Sequence, residues 1–222
     1  MLTKLNYTVP LDLLQEAINS LPSDDFRHTI NEPSGDFFYD PWTVKNEFAD
    51  SIWGELLSSL PIPVGEARII ILKPGTCYQS HADIDDRYHL NLSSHYAYLV
   101  DLDSEQMYQL KNNGAWYLMD AGRLHSATNF GVHNRVQLVV RKLLSHNTLS
   151  NPVTVKVYCD TLPADRARFL FDESVSPWLN QANKNGLISS FSPTEKGVTL
   201  VVESTSIDSL IKILPKEFKL DR

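Results

Sequence analysis

The sequence predicts a mainly β protein with flanking helices, in which an antiparallel sandwich or barrel carries the candidate site. Two observations support this fold class. From residue 66 to residue 143 the hydrophobic pattern changes from a helical period to many short strands, with turn signals at Asn112-Asn113-Gly114 and Asp120-Ala121-Gly122. No helical pattern interrupts these strands, which is typical of sandwiches and barrels.

Residues 1–66 are predicted to form a helical entry to this β block. The first helix ends before Pro22, and its buried face holds apolar residues spaced at i, i+3 and i+4: Leu13, Leu14, Ala17, Ile18 and Leu21. A second helix is predicted to begin at Asp40-Pro41-Trp42, because aspartate can cap free amides and proline suits the first helical position. It ends at Leu60-Pro61.

The strands predicted within the block are Arg68–Leu72, Tyr88–Leu92, Tyr96–Leu102, Met107–Leu110, Ala115–Met119 and Val136–Leu143, with an extended lead from Tyr78 to Asp83. The polar segment Ser145 to Pro152 predicts a domain boundary, with domains at residues 1–147 and 148–222. The second is predicted to be a small α+β domain that resembles part of a ferredoxin-like unit. Its predicted elements are a strand at Val153–Asp160, a helix from Ala164 to Asn183, a hairpin of Leu187–Phe191 with Val198–Glu203, and a closing helix from Ser206 to Leu214.

Composition restricts the partners and the location. A chain of 222 residues with 42% hydrophobic and 21% charged residues can bury a core without disulfides. Its net charge of −7 and its lack of basic runs argue against nucleic acid as a partner. The two cysteines, Cys77 and Cys159, lie far apart, and no secretory or membrane-spanning segment is evident, so we expect a cytoplasmic protein. The oligomeric state stays open.

A candidate metal site is centred on Ser80-His81-Ala82-Asp83. On an extended segment, a histidine and a carboxylate two residues apart point the same way and can hold one ion. His125 is a candidate third ligand, and Arg135 follows it by ten positions. Two histidines and one carboxylate, with the rest of the coordination sphere open, form the site of non-haem Fe(II) oxygenases. Arginine suits the far carboxylate of a 2-oxoacid because its fork donates two parallel hydrogen bonds.

The order and spacing of several motifs resemble the aspartyl/asparaginyl β-hydroxylase branch of the 2-oxoglutarate and Fe(II)-dependent oxygenases. They are Lys73-Pro74-Gly75-Thr76 followed by four residues and His81, then Arg87-Tyr88-His89-Leu90-Asn91-Leu92, then Asp120 with Leu124-His125, then Arg135. The resemblance runs from about Ile69 to Leu143. It implies a double-stranded β-helix, which is a cupin-like jelly roll, with iron held by His81 and His125.

The same resemblance implies roles for the neighbouring residues. Arg135 would hold the 5-carboxylate of 2-oxoglutarate, and the Arg87-x-His89 pair would contact the other end of the cosubstrate or the substrate. Asp83 completes a ligand triad that the best-known animal member of the family lacks. A small hydroxylated residue that helps to bind the 5-carboxylate in the family is replaced here by Ile70, so we expect Tyr98 or Tyr117 to take its place, or Arg135 to act alone.

The resulting hypothesis is a dioxygenase that uses Fe(II), 2-oxoglutarate and O₂. It would hydroxylate an unactivated C–H of an amino acid or a peptidyl residue and release succinate and CO₂. Two alternatives stay open: a non-oxidative cupin that acts as an isomerase or lyase with zinc or manganese, and a binding module without turnover. Further candidates for the lining of a substrate pocket are Tyr78, Gln79, Asn91, Trp116, His133 and Asn134.

Overall fold

Antiparallel strands dominate the computed structural model, which describes residues 1–23, 25–93 and 95–222. The chain divides into two units. The first comprises residues 1–79, 86–120 and 125–143, and the second comprises residues 80–85, 121–124 and 144–222. No helix in the described part of the chain combines the length and the apolar character needed to cross a lipid bilayer.

The first unit contains two main sheets and a short ribbon, with strands numbered in chain order. The six-stranded sheet has the order β1 (Leu2–Thr8), β10 (Ala115–Met119), β7 (Arg87–Ser93), β12 (Arg135–Arg141), β5 (Ala67–Leu72), β2 (Arg27–Thr29). The four-stranded sheet has the order β6 (Thr76–Cys77), β11 (His125–Asn129), β8 (Ala97–Asp101), β9 (Gln106–Tyr108). The ribbon pairs β3 (Asn31–Pro33) with β4 (Trp42–Val44). These antiparallel sheets form the double-stranded β-helix, so the predicted mainly β fold is confirmed.

The central strands of the six-stranded sheet are buried on both faces. Every residue of β12 is buried, and so is every residue of β7 except the last. One face is apolar and packs in the core with helices α1 (Leu11–Asn19) and α3 (Ile52–Ser58), through residues such as Leu90 and Leu138. The other face carries polar side chains, and we call it the inner face. Because these polar groups are buried, they need partners within the fold or a ligand.

The predicted helical entry is wrong at two places. Residues 2–8 form β1, which pairs with β10 at the edge of the sheet. Trp42–Val44 forms β4 instead of a helical turn, because the β-branched Thr43 and Val44 pair with Asn31–Pro33. The helical segment begins later, with α2 (Asn46–Ala49), and the Ser51 hydroxyl caps α3 by accepting from the backbone N–H of Gly54.

Strand β11 was not predicted from the sequence. The structure makes His125 the first residue of β11, opposite Asp101 of β8. Its sequence, His-Ser-Ala-Thr-Asn, contains no large apolar side chain. A search for alternating hydrophobic residues therefore has no signal to find there.

The second unit contains a complete βαββαβ arrangement. Its elements in chain order are β13 (Pro152–Tyr158), α4 (Ala164–Lys184), β14 (Ile188–Thr194), β15 (Gly197–Glu203), α5 (Ile207–Ile213) and β16 (Lys219–Asp221). The antiparallel sheet has the order β14, β15, β13, β16. This is the ferredoxin-like element order, and the short strand β16 adds the element that the sequence did not predict.

Candidate metal centre

The structure brings together the three predicted metal ligands His81, Asp83 and His125. One ligand atom from each side chain lies within 4.8 Å of the other two, and His81 Nε2 is 4.0 Å from Asp83 Oδ2. Metal bonds to nitrogen and oxygen are about 2.0–2.2 Å long, so two donors on one ion lie at most about twice that length apart. Small adjustments would therefore place all three donors on one ion.

Two backbone hydrogen bonds fix the segment that carries His81 and Asp83. The Asp83 N–H donates to the Ala121 carbonyl at 2.8 Å, and the Ala82 N–H donates to the Asp172 carbonyl of α4 at 3.1 Å. An acceptor within a helix is unusual for such a contact. Pro177 also lies inside α4, and its missing N–H removes the helical partner of the Glu173 carbonyl, which is next to Asp172 in the sequence.

Helix α4 has a second, polar stripe beside the apolar one that packs on its sheet. Asp172, Ser176 and Asn180 are spaced at i, i+4 and i+8, and the last two are almost fully buried. Asn180 faces Gly122, where an added Cβ would lie 2.3 Å from Asn180 Cγ. The stripe therefore lies against both the His81–Asp83 segment and the turn at Ala121–Leu124.

The Asp172 carboxylate is fixed within this stripe. Arg168 Nε donates to both of its oxygens, at 2.9 and 2.7 Å, and Ser176 Oγ donates to it at 3.5 Å. Burial raises the pKa of Asp172, Arg168 lowers it, and the charges of Asp83 and His81 act on it in opposite directions. The carboxylate is thus close enough to the two ligands for their charges to interact.

Arg135 opens β12 on the inner face and is buried. Burial lowers its pKa to about 10, so the guanidinium stays charged at neutral pH. Among the described residues no carboxylate forms an ion pair with it. A buried cation without an internal counter-ion is costly, which favours a site for an external anion.

The Tyr78 hydroxyl lies close to Arg135. Burial raises the pKa of Tyr78, and the Arg135 charge counteracts this. The ring packs edge-on against Phe26 with centroids 5.4 Å apart, and the backbone N–H donates to Ala127 at 2.9 Å. The hydroxyl is buried and has no hydrogen-bond partner in the described part of the chain. Tyr78 therefore offers Arg135 a second donor for a shared anion.

Neither of the two tyrosines expected to replace the missing hydroxyl occupies this position. Tyr98 lies on the face of β8 opposite to that of the buried Leu99, and its ring contacts Phe130. Tyr117 lies on β10, two strands away from β12, and pairs with His89. Strand register decides this question, and the sequence does not reveal the register.

His89 lies on β7 and is fully enclosed on the inner face. Its Nδ1 is 3.3 Å from Gln137 Oε1, while its Nε2 has no partner among the described residues. Burial, together with the charge of Arg135, lowers its pKa to about 3, and His125 contributes further in the same direction. His89 is therefore neutral at physiological pH, and it lies near both the candidate ligand His125 and the buried Arg135.

Arg87, the first residue of β7, lies on the inner face two positions before His89. It is buried, and it pairs across the sheet with Arg141 of β12 and with Met119 of β10. The Arg141 guanidinium lies 4.5 Å from the ring centres of both Phe37 and Phe38. These cation–π contacts hold the Arg141 guanidinium against the two phenylalanine rings. The inner face thus carries Arg87 and His89 on one strand and Arg135 on the next.

No protein-family model matches this sequence, and no curated protein is similar to it. Solved structures with a similar course of the chain include three from viruses and bacteria. One is the truncated viral collagen prolyl hydroxylase of Paramecium Bursaria Chlorella virus-1, with TM-score 0.44, 10% identity, and 64% of this chain and 90% of that chain covered. AviO1 from Streptomyces viridochromogenes Tue57 has a TM-score of 0.40 and 12% identity, with 63% of this chain and 88% of that chain covered. A Pseudomonas putida prolyl-4-hydroxylase has a TM-score of 0.36 and 13% identity, with 63% of this chain and 90% of that chain covered. At these identities and TM-scores the similarity does not extend to individual side chains.

Proposed function

We propose that this chain is a 2-oxoglutarate- and Fe(II)-dependent dioxygenase that hydroxylates an unactivated C–H of an amino acid or a peptidyl residue. The observation that carries this proposal is the convergence of His81, Asp83 and His125 within 4.8 Å. The buried Arg135, which has no counter-ion among the described residues, supports it as a site for the cosubstrate.

The ligand set suits Fe(II). Two imidazoles and one carboxylate bind one side of the ion and leave other positions open, which is the donor set of non-haem Fe(II) oxygenases. When bound, Fe(II) with 2-oxoglutarate and O₂ supplies the oxidising chemistry, and succinate and CO₂ are the coproducts. Asp83 would balance part of the charge of the cation, and its backbone bond to Ala121 fixes the position of this residue.

Arg135 and Tyr78 are proposed to hold the far carboxylate of the cosubstrate. The guanidinium can donate two parallel hydrogen bonds to a carboxylate, and the Tyr78 hydroxyl can donate a third. Both groups are buried, so the anion would be shielded from water and would satisfy donors that are otherwise unpaired. Tyr78 thereby takes the place of the family's small hydroxylated residue, where this chain has Ile70.

The class of substrate is proposed from the net charge of the chain. A net charge of −7 supports a small molecule or a peptide rather than nucleic acid.

A cytoplasmic location is proposed from the cysteines, because Cys77 and Cys159 are both free thiols.

The proposal is tested by anaerobic spectroscopy followed by exposure to air. Fe(II) and 2-oxoglutarate added to the wild-type protein should produce a weak visible metal-to-ligand charge-transfer band, and air should then yield succinate. Arg135→Ala should weaken 2-oxoglutarate binding by about a hundredfold or more, because it removes a charge-assisted bidentate contact in a buried site. Tyr78→Phe should weaken it by about tenfold.

Arg141→Gln is the matched control, because Arg141 lies on the same face of β12 but is held by Phe37 and Phe38. It should leave 2-oxoglutarate affinity unchanged. Metal-dependent turnover without the band and without succinate would instead favour the non-oxidative cupin. A protein that binds neither metal nor 2-oxoglutarate would contradict both enzymatic functions.

A further inference from the structure

A chain of hydrogen bonds on the inner face determines where the His89 proton lies. The chain begins at the backbone carbonyl of Leu110, which can only accept, so the Asn91 group facing it at 3.1 Å is the Nδ2 amide that donates. The Asn91 Oδ1 atom must then accept, and it does so from Gln137 Nε2 at 3.0 Å. The remaining Gln137 atom, Oε1, therefore faces His89 as an acceptor.

The His89 tautomer follows from this order. Gln137 Oε1 cannot donate, so His89 Nδ1 must carry the proton and donate to it across 3.3 Å. In a neutral imidazole the other nitrogen is then a bare acceptor. That atom, Nε2, is buried without a partner among the described residues. An unsatisfied buried acceptor is costly, and a ligand that supplies a donor would remove the cost.

Protonation would convert Nε2 into a donor, but the surroundings oppose it. With a pKa of about 3, the imidazolium of His89 is roughly ten-thousandfold less populated than the neutral ring at pH 7. The charges that act on His89 are those of Arg135, Arg87 and His125, the neutral Gln137 amide is bonded to it, and Tyr117, its cross-strand neighbour on β10, is a phenol. None of these supplies a negative charge that would favour the cation.

The same groups limit what the ligand can be. A carboxylate would place its lone pairs against the Nε2 lone pair, and an ammonium group would meet the positive charges of Arg135 and Arg87. A neutral carboxamide offers N–H donors without a charge. His89 also lies near the candidate ligand His125, whose charge is one of those that lower the pKa of His89.

We propose that His89 Nε2 accepts a hydrogen bond from a carboxamide N–H of the substrate, so that the site selects an asparaginyl-type amide over the corresponding carboxylate. This inference rests on the proposed oxygenase function. It assigns His89 to the substrate rather than to the cosubstrate, whose carboxylates need donors. His89 is thus the residue that determines specificity between two side chains of nearly equal size.

The tautomer can be tested without metal or turnover. In protein labelled with ¹⁵N-histidine, long-range ¹H–¹⁵N correlation at pH 7 should show His89 with a protonated Nδ1 and an unprotonated Nε2. The His89→Leu spectrum assigns the signal by its loss. A protonated Nε2, in either the other tautomer or the imidazolium, would overturn the proposal.

Specificity is tested by peptide binding with Mn(II) in place of Fe(II) and N-oxalylglycine in place of 2-oxoglutarate. Short peptides with a central asparagine should bind the wild-type protein about tenfold or more tightly than their aspartate twins, because the aspartate leaves Nε2 facing a like partner. His89→Leu should remove this difference. His95→Leu, which changes an exposed histidine outside the candidate site, should keep it.

The outcomes distinguish the carboxamide proposal from the proposed oxygenase function. Equal or tighter binding of the aspartate peptides, or a preference that survives in His89→Leu, would overturn the carboxamide proposal even if the protein makes succinate from 2-oxoglutarate. Failure of every peptide to bind would also overturn it. Absence of succinate formation with intact asparagine preference would overturn the oxygenase and leave the His89 contact standing.

Discussion

At the scale of single residues, the inner face carries buried polar groups, and burying such groups costs free energy unless they are paired. A series of hydrogen bonds links the Leu110 carbonyl to Asn91, Asn91 to Gln137 and Gln137 to His89, and it ends at the His89 Nε2 atom. Arg135 and Tyr78 end in the same way, with donors that have no partner among the described residues. Buried polar groups are normally paired, so these open positions are more informative about function than the paired ones.

His89 should make the stability of the protein depend on pH. Its folded-state pKa of about 3 lies below the ordinary value of 6.5, so the unfolded chain binds a proton that the folded chain rejects. The free energy of unfolding should therefore fall as the pH drops from 6.5 towards 3, by up to about 1.4 kcal/mol per pH unit from this residue. Urea unfolding at several pH values measures the slope.

His89→Gln should have a shallower slope over this range, because glutamine does not titrate. His133→Gln, at an exposed position, should retain the wild-type slope. An unchanged slope in His89→Gln would mean that other groups produce the acid sensitivity.

At the scale of elements, α4 serves two neighbours at once. Its apolar stripe, which includes Phe171, Val175 and Leu179, packs on the sheet of its own unit. Its polar stripe lies against the segments at residues 80–85 and 121–124, which belong to the same unit. A helix that buries two stripes is a structural support for the segment that carries the candidate ligands His81 and Asp83.

Removing the charge of this support should weaken metal binding. Asp172→Asn eliminates a carboxylate that interacts with His81 and Asp83, and it weakens the contact with Arg168. Changes around metal ligands typically reduce affinity by about tenfold to a hundredfold, and we expect the lower end here. Isothermal titration with Mn(II) measures the affinity. Asp165→Asn, on the exposed face of α4, should have no effect, and an equal loss in both variants would contradict the role of Asp172.

The sequence predicted elements well where the hydrophobic pattern was strong. The strands around Ile69–Leu72 and Leu90–Leu92, and the helix from Ala164, lie where they were expected. It failed for β1 and β11, whose side chains are mixed or polar and whose strand character depends on pairing with distant partners. The sequence predicted that His81, Asp83 and His125 would come together, but it could not show that Tyr78 lies near Arg135, because register and face decide this.

At the scale of the whole molecule, metal binding should couple distant parts of the chain. His81 and Asp83 are far from His125 in sequence, so the unfolded chain offers no preformed site. A ligand that binds only the folded state raises stability by an amount that depends on its concentration relative to its Kd.

Mn(II) with 2-oxoglutarate, each at about a hundred times its Kd, should raise the unfolding free energy by about 2.7 kcal/mol per ligand. For a chain of this length each kcal/mol corresponds to about 2–4 °C, so the Tm should rise by about 5–10 °C per ligand. Scanning calorimetry measures the shift, and EDTA should abolish it. His81→Ala should show no metal-dependent shift, and the same shift in that variant would mean that the ions bind elsewhere.

The pairing of β1 with β10 has a consequence for how the protein acquires its structure. Leu2 lies opposite Met119, so β1 has no partner until a strand more than a hundred residues later in the sequence has been made. Contacts between such distant residues slow folding, because a long loop must close before the pairing stabilises it. The amino-terminal strand is therefore expected to dock late, and refolding monitored at Tyr7 should lag behind refolding monitored at the buried Trp116.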